Sequence, residues 1–241
     1  MTDYKTAFRR ALENPEAYWA EQASRVAWFK PPTSILGKDG NGNDAWFSDG
    51  ELNSSYLALD YHIEKGRGDQ TALIYDSPVT NATSSYTYRE LRDEVATFAG
   101  VLVSLNIKQG DRVIIYMPMI PQAAIAMLAC ARIGAIHSVV FGGFAAKELA
   151  TRIDDATPKA ILCASCGVEF SNVIAYKPLI DEALQISEHQ IDHCLVYQRP
   201  ESVAEMDNPW DRDWDSLLAM AEPAEPVSLP SSHPLYILYT S

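Results

Sequence analysis

The stretch "GDRVIIYMPMIPQAAIAMLACARIGAIHSVVFGG", Gly110 to Gly143, decides the fold of this chain. Within it, Arg112 to Tyr116 is a short run of branched and aromatic side chains, which predicts a strand buried on both faces of a sheet. Pro121 suits the first turn of a following helix, and Ile136 to Phe141 predicts a second strand. A strand, a helix and another strand with short connections predict two parallel strands.

The same alternation continues along the chain. A hairpin, a helix opened by a Thr87–Glu90 capping box and further strands and helices are predicted, which gives an α/β fold with a parallel sheet covered by helices on both faces. The helix after the capping box has one apolar stripe: Leu91, Val95, Phe98, Ala99 and Leu102. The other predicted elements are the hairpin strands Thr71–Tyr75 and Ser85–Thr87, helix Ala145–Ala156, strand Ala160–Cys163, helix Leu179–Ile186, strand His193–Tyr197 and a buried strand Leu235–Tyr239.

The two ends of the sequence differ in organisation. Residues 1–69 show no steady period, contain one predicted helix from Pro15 to Trp28, and are otherwise rich in turn residues. We therefore expect residues 1–69 to form a wrapping segment and residues 70–241 to form the α/β unit. Within that unit, Met206 to Pro230 is predicted to be a polar connection before the last strand.

Composition limits the partners. The net charge of −13 argues against nucleic acid or an anionic membrane, because both require clustered Lys and Arg. The N-terminal residues lack the apolar core of a signal peptide. The longest apolar stretch, Ala123 to Val140, is interrupted by Arg132 and His137, so it predicts a buried helix and a strand instead of a membrane span. We expect a cytoplasmic protein, or one of an organelle interior if a targeting segment is missing from the sequence.

Gly142 and Gly143 form the sharpest local feature, because they join a buried strand to a helix. Glycines there allow a ligand to approach the backbone closely, and the N-terminus of the helix offers unpaired N–H groups to an anion. The same pair can also form nothing more than a tight turn. The spacing alone leaves both interpretations open.

The remaining reactive side chains predict no catalytic residue and no metal site. Cys163-Ala164-Ser165-Cys166 has no second cysteine pair for zinc and no helix start for a redox centre, so packing at a strand end is favoured. Asp154 and Asp155 are neighbours on a helix and do not share a face, which is typical of solvated surface. The five histidines are scattered and have no serine or cysteine nucleophile context: His62, His137, His189, His193 and His233. His137 and His193 begin predicted strands and are predicted to be structural.

Several motifs, taken together and in order, resemble one family. They are Trp46-Phe47, Gly50 to Asn53, Tyr56, Asp60, "TYREL" (Thr87 to Leu91), Gly110 to Leu149 and the closing "YILYTS". This set resembles the AMP-forming short-chain acyl-CoA synthetases, the acetyl- and propionyl-CoA synthetases. Within that family "IAYKPLIDEAL", Ile174 to Leu184, is more similar to propionate–CoA ligases.

The resemblance implies a fold and a reaction. It implies the three-layer, parallel-sheet subdomain of the N-terminal domain of adenylate-forming ligases. Such enzymes use ATP, CoA and Mg²⁺: a carboxylate such as propionate reacts with ATP to give an acyl-adenylate and pyrophosphate, and CoA then takes the acyl group. The closing motif begins the family's phosphate loop, so Thr240 and Ser241 are implied ATP-binding residues. We expect the chain to be the N-terminal part of a ligase, inactive without the C-terminal part that carries the Mg²⁺ site.

The resemblance also implies a site for the CoA nucleotide. It includes the Gly-Gly turn, that is Phe141, Gly142 and Gly143, with Ile174 as an apolar neighbour. Two positions that carry arginines near the CoA phosphates in acetate-type relatives are Glu169 and Asn172 here, so another cation must contact the phosphates or CoA must sit differently. Lys177 and Arg152 are the nearest cations in sequence.

Other functions stay open at this point. The chain could be part of an acetate–CoA ligase, a free-standing CoA- or nucleotide-binding module without chemistry, or a non-catalytic regulatory protein derived from a ligase.

Overall fold

The N-terminal segment consists of short elements. The computed structural model describes residues 3–240. The segment contains α1 (Tyr4–Glu13), α2 (Pro15–Ala23), β1 (Leu36–Lys38), β2 (Asp44–Trp46), β3 (Glu51–Leu52), α3 (Ser54–Ala58) and α4 (Asp60–His62), followed by a π-helical turn, Ile63–Arg67. Helix α1 was not predicted, and α2 ends at Ala23 instead of Trp28. The indole N–H of Trp28 donates to the Ala23 carbonyl at 2.8 Å, which satisfies a group that the helix end leaves free.

Two buried polar contacts attach this segment to the rest of the protein. The Asn53 side-chain amide donates to the carbonyls of Ala131, Arg132 and Val227 at 3.1, 3.0 and 2.9 Å. The Arg132 guanidinium, which is 1% exposed, pairs in bidentate geometry with the Asp60 carboxylate at 2.8 and 3.0 Å. Buried charge that is paired in this way holds the segment in one position.

The α/β unit follows the predicted alternation closely. Its elements are β4 (Thr71–Ser77), β5 (Ala82–Thr87), α5 (Tyr88–Ser104), β6 (Arg112–Met117), α6 (Pro121–Ile133), β7 (Ile136–Phe141), α7 (Ala146–Ala156), β8 (Ala160–Ala164), β9 (Cys166–Glu169), β10 (Asn172–Ala175), α8 (Lys177–Ile186), β11 (His193–Tyr197), β12 (Asp211–Asp213), α9 (Trp214–Leu218) and β13 (Leu229–Pro230). The predicted capping box is present, since Thr87 and Glu90 satisfy each other's backbone N–H groups at the start of α5.

The central sheet confirms the predicted fold class. Its order is β12-β11-β8-β6-β7, and every pairing within it is parallel. Alternate side chains of the strands enter two cores. One core lies under α5, α6 and α9 and contains Val113, Ile115 and the whole predicted stripe of α5. The other lies under α7 and α8 and contains Ile114 and Tyr116. The unit is therefore a three-layer α/β fold.

The prediction of a buried strand at Leu235 to Tyr239 was wrong. This segment runs beside the edge strand β7 and makes one parallel bridge, between His137 and Tyr236. The Ile237 N–H donates to the His137 carbonyl at 2.9 Å. Because the segment lies outside the edge of the sheet, its side chains alternate in exposure: Tyr236 is 55% and Leu238 is 72% exposed.

Two parts of the unit were missed. The β9–β10 hairpin leaves the sheet directly after β8, and the connection Met206 to Pro230 contributes β12 and α9. Strand β12 is short and polar, so no apolar run in the sequence predicted it. It pairs in parallel with β11 over three residues. Between residues 3 and 240, the helices are too short or too polar for any of them to cross a membrane.

Candidate functional site

A cleft of about 340 Å³ lies at the carboxyl edge of the sheet. We call it the edge cleft. The turn between β4 and β5, the loop after β6 and the Gly-Gly turn after β7 form its walls. Its lining includes Val79, Met119, Phe141, Gly142, Glu169 and Arg199. Ligands of open α/β sheets bind in crevices at this edge, so the edge cleft is the candidate site.

The Gly-Gly turn is held from below by the hydroxyl of Tyr116. This buried side chain projects from β6, and its hydroxyl accepts the Gly143 N–H at 3.0 Å and donates to the Phe144 carbonyl at 2.8 Å. Burial raises the pKa of Tyr116, so the hydroxyl keeps its proton and its donor role at neutral pH. The backbone that faces the cleft is therefore fixed by a side chain from the neighbouring strand.

Both glycines have a structural reason to be glycine. A Cβ on Gly142 would lie 2.6 Å from the ring and hydroxyl of Tyr176, which is buried. Gly143 has a φ of +97°, a conformation that other residues rarely adopt. The tight-turn interpretation thus accounts for the pair, and the case for a ligand depends on the cleft around it.

The structure brings together some of the predicted CoA-binding residues. Phe141 ends β7 with its side chain 64% exposed, and a Cβ on Gly143 would lie 3.4 Å from the Glu169 carboxylate. Asn172 is exposed and is paired with Glu169 across the β9–β10 hairpin. Ile174 is half-buried and packs against the core under α7 and α8. Phe141, both glycines and Glu169 therefore cluster at the turn, with Asn172 beside them.

Lys177, one of the two predicted cations, is not available to a ligand in the edge cleft. Its ammonium is buried and contacts the carboxylates of Asp181 and Asp211 at 2.6 and 3.0 Å. Burial acts to lower the pKa of Lys177, but the hydrogen bonds to Asp181 and Asp211 outweigh it and the pKa is raised. Lys177 therefore serves as a paired internal charge, and it lines a different cavity of about 490 Å³.

Arg152, the second predicted cation, lies close to both predicted sites. Its guanidinium carbon is 5.0 Å from the Phe144 ring centre and 5.3 Å from that of Tyr239. The Tyr239 hydroxyl donates to Asp155 at 2.6 Å, and burial together with this hydrogen bond raises the pKa of Tyr239 to about 12. Thr240, the next residue, is exposed. Arg152 thus connects the Gly-Gly turn to the segment that carries Thr240, while Ser241 lies outside the described residues.

Sequence reasoning missed Arg199, the guanidinium that lines the edge cleft. Arg199 follows the end of β11, and its backbone N–H donates to the Ser165 hydroxyl at 2.8 Å. Its side chain donates to the Cys166 carbonyl at 3.0 Å and lies 3.5 Å from the Glu201 carboxylate. The only signal in the sequence was its position just past the carboxyl end of a strand, which is where ligand-binding residues occur.

The other predicted structural residues behave as packing or surface groups. Cys163 and Cys166 are both buried and free; the Cys163 sulfur lies 3.9 Å from that of Cys194 on the next strand. Burial lowers the pKa of His137 to about 4, so its ring is neutral. Asp154 accepts the backbone N–H groups of Glu188 and His189 at 2.8 and 3.0 Å and remains exposed.

No cluster of metal ligands accompanies the cleft. Within residues 3–240, no three His, Cys, Asp or Glu side chains are grouped so that they could hold a metal ion. This part of the chain therefore supplies no cluster of three such ligands that would hold Mg²⁺ without the help of a bound phosphate.

The fold and the edge cleft define an α/β protein of the class that binds ligands beyond the carboxyl ends of parallel strands. The chain belongs to the AMP-binding enzyme family, whose model matches residues 60–241. A second model, described as the N-terminus of acetyl-coenzyme A synthetase, matches residues 4–58.

Sequence similarity to known proteins supports the same family assignment. An uncharacterized protein of Pseudomonas aeruginosa is 59% identical over 238 residues, which cover 99% of this chain and 38% of that protein. Acyl-CoA synthetase short-chain family member 3, mitochondrial, of Homo sapiens is 50% identical over 241 residues, which cover 100% of this chain and 35% of that protein. The chain therefore spans little more than a third of the length of these curated relatives.

A solved structure supports the fold assignment. Acetoacetyl-CoA Synthetase from Streptomyces lividans superposes with a TM-score of 0.86 at 24% identity, and the match covers 100% of this chain and 36% of that chain. The similarity confirms the predicted fold of the N-terminal domain of adenylate-forming ligases.

Proposed function

We propose that this chain is the N-terminal part of an AMP-forming short-chain acyl-CoA synthetase whose substrate is propionate. The carboxylate reacts with ATP to form an acyl-adenylate and release pyrophosphate, and the CoA sulfur then takes the acyl group and releases AMP. One observation carries the proposal: the two family models match 4–58 and 60–241 in order, so ligase-like sequence runs through almost the whole chain.

The residues of this chain are proposed to bind nucleotides. In the edge cleft, the exposed Phe141 ring offers a surface for an adenine, and Gly142 and Gly143 allow the backbone to approach it closely. Glu169 and Asn172 form the rim beside the turn, and Ile174 supports the hairpin from below. Thr240 and Ser241 are proposed to contribute to the ATP-binding loop. ATP, CoA and Mg²⁺ are the proposed cofactors, and no described residue is assigned to the metal.

The choice of propionate rests on the segment Ile174 to Leu184, which resembles propionate–CoA ligases. The name of the human relative at 50% identity, a short-chain family member, supports a short-chain acid without separating propionate from acetate. The alternative is acetate, because the model that matches residues 4–58 describes acetyl-coenzyme A synthetase. That human relative is also named mitochondrial, whereas the cytoplasm remains our proposed location for this protein.

The test is a pyrophosphate-release assay on the whole protein that contains this chain, with ATP, Mg²⁺ and either propionate or acetate. One methylene in an apolar pocket changes kcat/KM by roughly 10- to 200-fold. We expect propionate to exceed acetate by at least about ten-fold. A preference for acetate would establish the alternative, and no release with either acid would refute both substrate assignments.

A second arm tests the need for the remaining length. Residues 1–241 alone should release no pyrophosphate, because the chain corresponds to only 35% of the human relative. Pyrophosphate release by this piece at a rate comparable to that of the whole protein would contradict this part of the proposal.

A further inference from the structure

We propose that Arg199 is the anion-binding residue of the edge cleft: its guanidinium binds a phosphate group of the nucleotide part of CoA, and Glu169 accepts hydrogen bonds from hydroxyl or amino groups of the same nucleotide. This inference rests on the proposed function and adds the residue that recognises the CoA phosphate. The observation behind it is a nearly buried guanidinium on the cleft wall, which is the one Lys or Arg side chain among the described residues that line the edge cleft.

The Arg199 side chain is held in place before any ligand binds. It is 7% exposed, one of its terminal nitrogens donates to the Cys166 carbonyl, and the other lies 3.5 Å from Glu201. A guanidinium has several N–H donors in a rigid fork. The guanidinium keeps some exposed surface, and Arg199 lines both the edge cleft and a neighbouring cavity of about 240 Å³ that Glu201 also lines.

The position of Arg199 sets the shape of the ligand. Strands β11 and β7 are three strand spacings apart, roughly 14 Å. Arg199 reaches back from the end of β11 to the carbonyl of Cys166, the residue that opens β9 after β8. Phe141 and Arg199 therefore line one cleft although they follow strands that are not neighbours, and Met119 and Val79 add apolar side chains to the same lining. A ligand that combines a ring with an anionic group fits this lining.

The charges around Arg199 exclude a simple phosphate site. The carboxylates of Glu169 and Asp76 line the same cleft, and Glu201 lies 3.5 Å from the guanidinium. Inorganic phosphate would be repelled by these three groups and brings little to offset the repulsion. The nucleotide part of CoA also carries phosphate charges, but its hydroxyl and amino groups are donors that the carboxylates can accept while one phosphate meets the guanidinium. The cleft should therefore bind a nucleotide and not inorganic phosphate.

The two other candidate cations, Lys177 and Arg152, interact with groups of the protein outside the edge cleft. Lys177 is enclosed by Asp181 and Asp211. Arg152 lies over the rings of Phe144 and Tyr239, and one of its nitrogens donates to the Glu148 carbonyl at 2.9 Å. Neither lines the edge cleft, whereas Arg199 does.

The test is isothermal titration of the whole protein with CoA, adenosine 3′,5′-bisphosphate, ATP and inorganic phosphate. A hydrogen bond to a charged group corresponds to roughly a 10- to 150-fold change in affinity. Arg199→Gln should weaken binding of CoA and of the bisphosphate by about 10-fold or more. Arg212→Gln is the matched control, because Arg212 donates to the Pro209 and Asp211 carbonyls outside the cleft, and it should leave both affinities within about two-fold.

A second variant tests the sign of the effect and does not risk the fold. The Glu169 side chain is exposed, so Glu169→Gln should fold normally. If Glu169 accepts hydrogen bonds from the nucleotide, Glu169→Gln weakens CoA binding several-fold. If Glu169 only repels phosphate, the same change tightens CoA binding, and the proposal is wrong.

The remaining outcomes separate this inference from the proposed function. Weaker ATP binding with unchanged CoA binding in Arg199→Gln would assign the phosphate to ATP and overturn the CoA assignment. A loss of CoA affinity in Arg152→Gln but not in Arg199→Gln would also overturn it. If the unchanged protein releases pyrophosphate with propionate, the proposed function stands whatever Arg199 does. If it releases none, the proposed function fails even where CoA binds.

Discussion

Replacing Tyr116 by Phe removes one oxygen atom from beneath the candidate site. That hydroxyl accepts the Gly143 N–H at 3.0 Å and donates to the Phe144 carbonyl at 2.8 Å. The ring itself is fully buried against the Tyr176 ring, with ring centres 5.1 Å apart, and Phe can occupy the same space. The change therefore isolates the two hydrogen bonds that fix the Gly-Gly turn.

The magnitude follows from these two contacts. Each hydrogen bond contributes about 0.5–1.5 kcal/mol net to the free energy of unfolding, which gives roughly 1–3 kcal/mol for the pair. Gly143 and Phe144 are only half-buried, so water can reach the freed N–H and carbonyl. We therefore expect a loss of about 1–2 kcal/mol, near the lower end of that range.

Urea denaturation measures this loss. With a slope of about 2–3 kcal/mol/M, the midpoint should fall by roughly 0.5 M at unchanged slope. Amide hydrogen exchange at Gly143 should become faster, and CoA should bind several-fold more weakly. The matched control is Tyr197→Phe, because the half-buried Tyr197 hydroxyl makes no side-chain hydrogen bond within residues 3–240. If Tyr116→Phe shifts the midpoint no more than Tyr197→Phe, the turn does not depend on Tyr116 and the reasoning is refuted.

Three further predictions concern stability. Lys177→Met should cost about 3–5 kcal/mol, since it leaves the Asp211 carboxylate buried without its cation, and urea denaturation would show the loss. Gly142→Ala should cost about 1–3 kcal/mol, because its Cβ would lie 2.6 Å from the buried Tyr176 ring, and thermal unfolding would report it. The pKa of His137 is about 4 in the folded protein and 6.5 in the unfolded chain. The neutral ring therefore contributes fully to stability above pH 6.5, and this contribution is lost as the pH falls through 4. In a series of unfolding curves at different pH values, His137→Gln should lose about 3 kcal/mol less stability on acidification than the parent protein.

Matched variants serve as controls for Lys177→Met and Gly142→Ala. The His137 prediction is decided by whether the difference in stability between variant and parent changes with pH. Lys159→Met removes a more exposed ion pair with Asp111 and should cost about 1 kcal/mol or less; equal losses for Lys159→Met and Lys177→Met would contradict the buried-pair argument. Gly40→Ala should be neutral, because nothing lies within 4 Å of its added Cβ. For His137, a difference between variant and parent that stays constant from pH 7 to pH 4 would show that the ring does not titrate with unfolding.

The sequence predicted the layers of the fold because local patterns carried them. The runs at Arg112 to Tyr116 and Ile136 to Phe141 became β6 and β7, and the capping box at Thr87 to Glu90 opens α5. These signals work at short range, since an apolar run or a cap reports the burial and hydrogen bonding of its own residues. The predicted domain boundary at residue 69 and the site residues remain predictions.

The missed elements depend on contacts between distant residues. Strand β12, Asp211 to Asp213, does not have the composition of a strand, and it forms because its backbone pairs with the otherwise free edge of β11. The segment Leu235 to Tyr239 has the composition of a central strand, yet it lies outside β7 and pairs through one bridge. In both cases the neighbour in space, and not the residue pattern, determines the conformation, which is the usual limit of strand propensity.

The same limit explains why a local motif indicated the Gly-Gly turn, whereas no local motif indicated Arg199, the cation that lines the same cleft. Parallel strands that follow one another by crossover connections place their carboxyl ends in one row, in the order β11, β8, β6, β7. The end of β7 supplies Phe141 and the glycines, while the residues after β11 supply Arg199, some sixty residues later in the chain. Both groups line the edge cleft. The cation that we propose for a ligand there had to be sought along the whole row of strand ends, because residues far apart in the chain meet at that edge, and among the described residues lining the cleft it is Arg199.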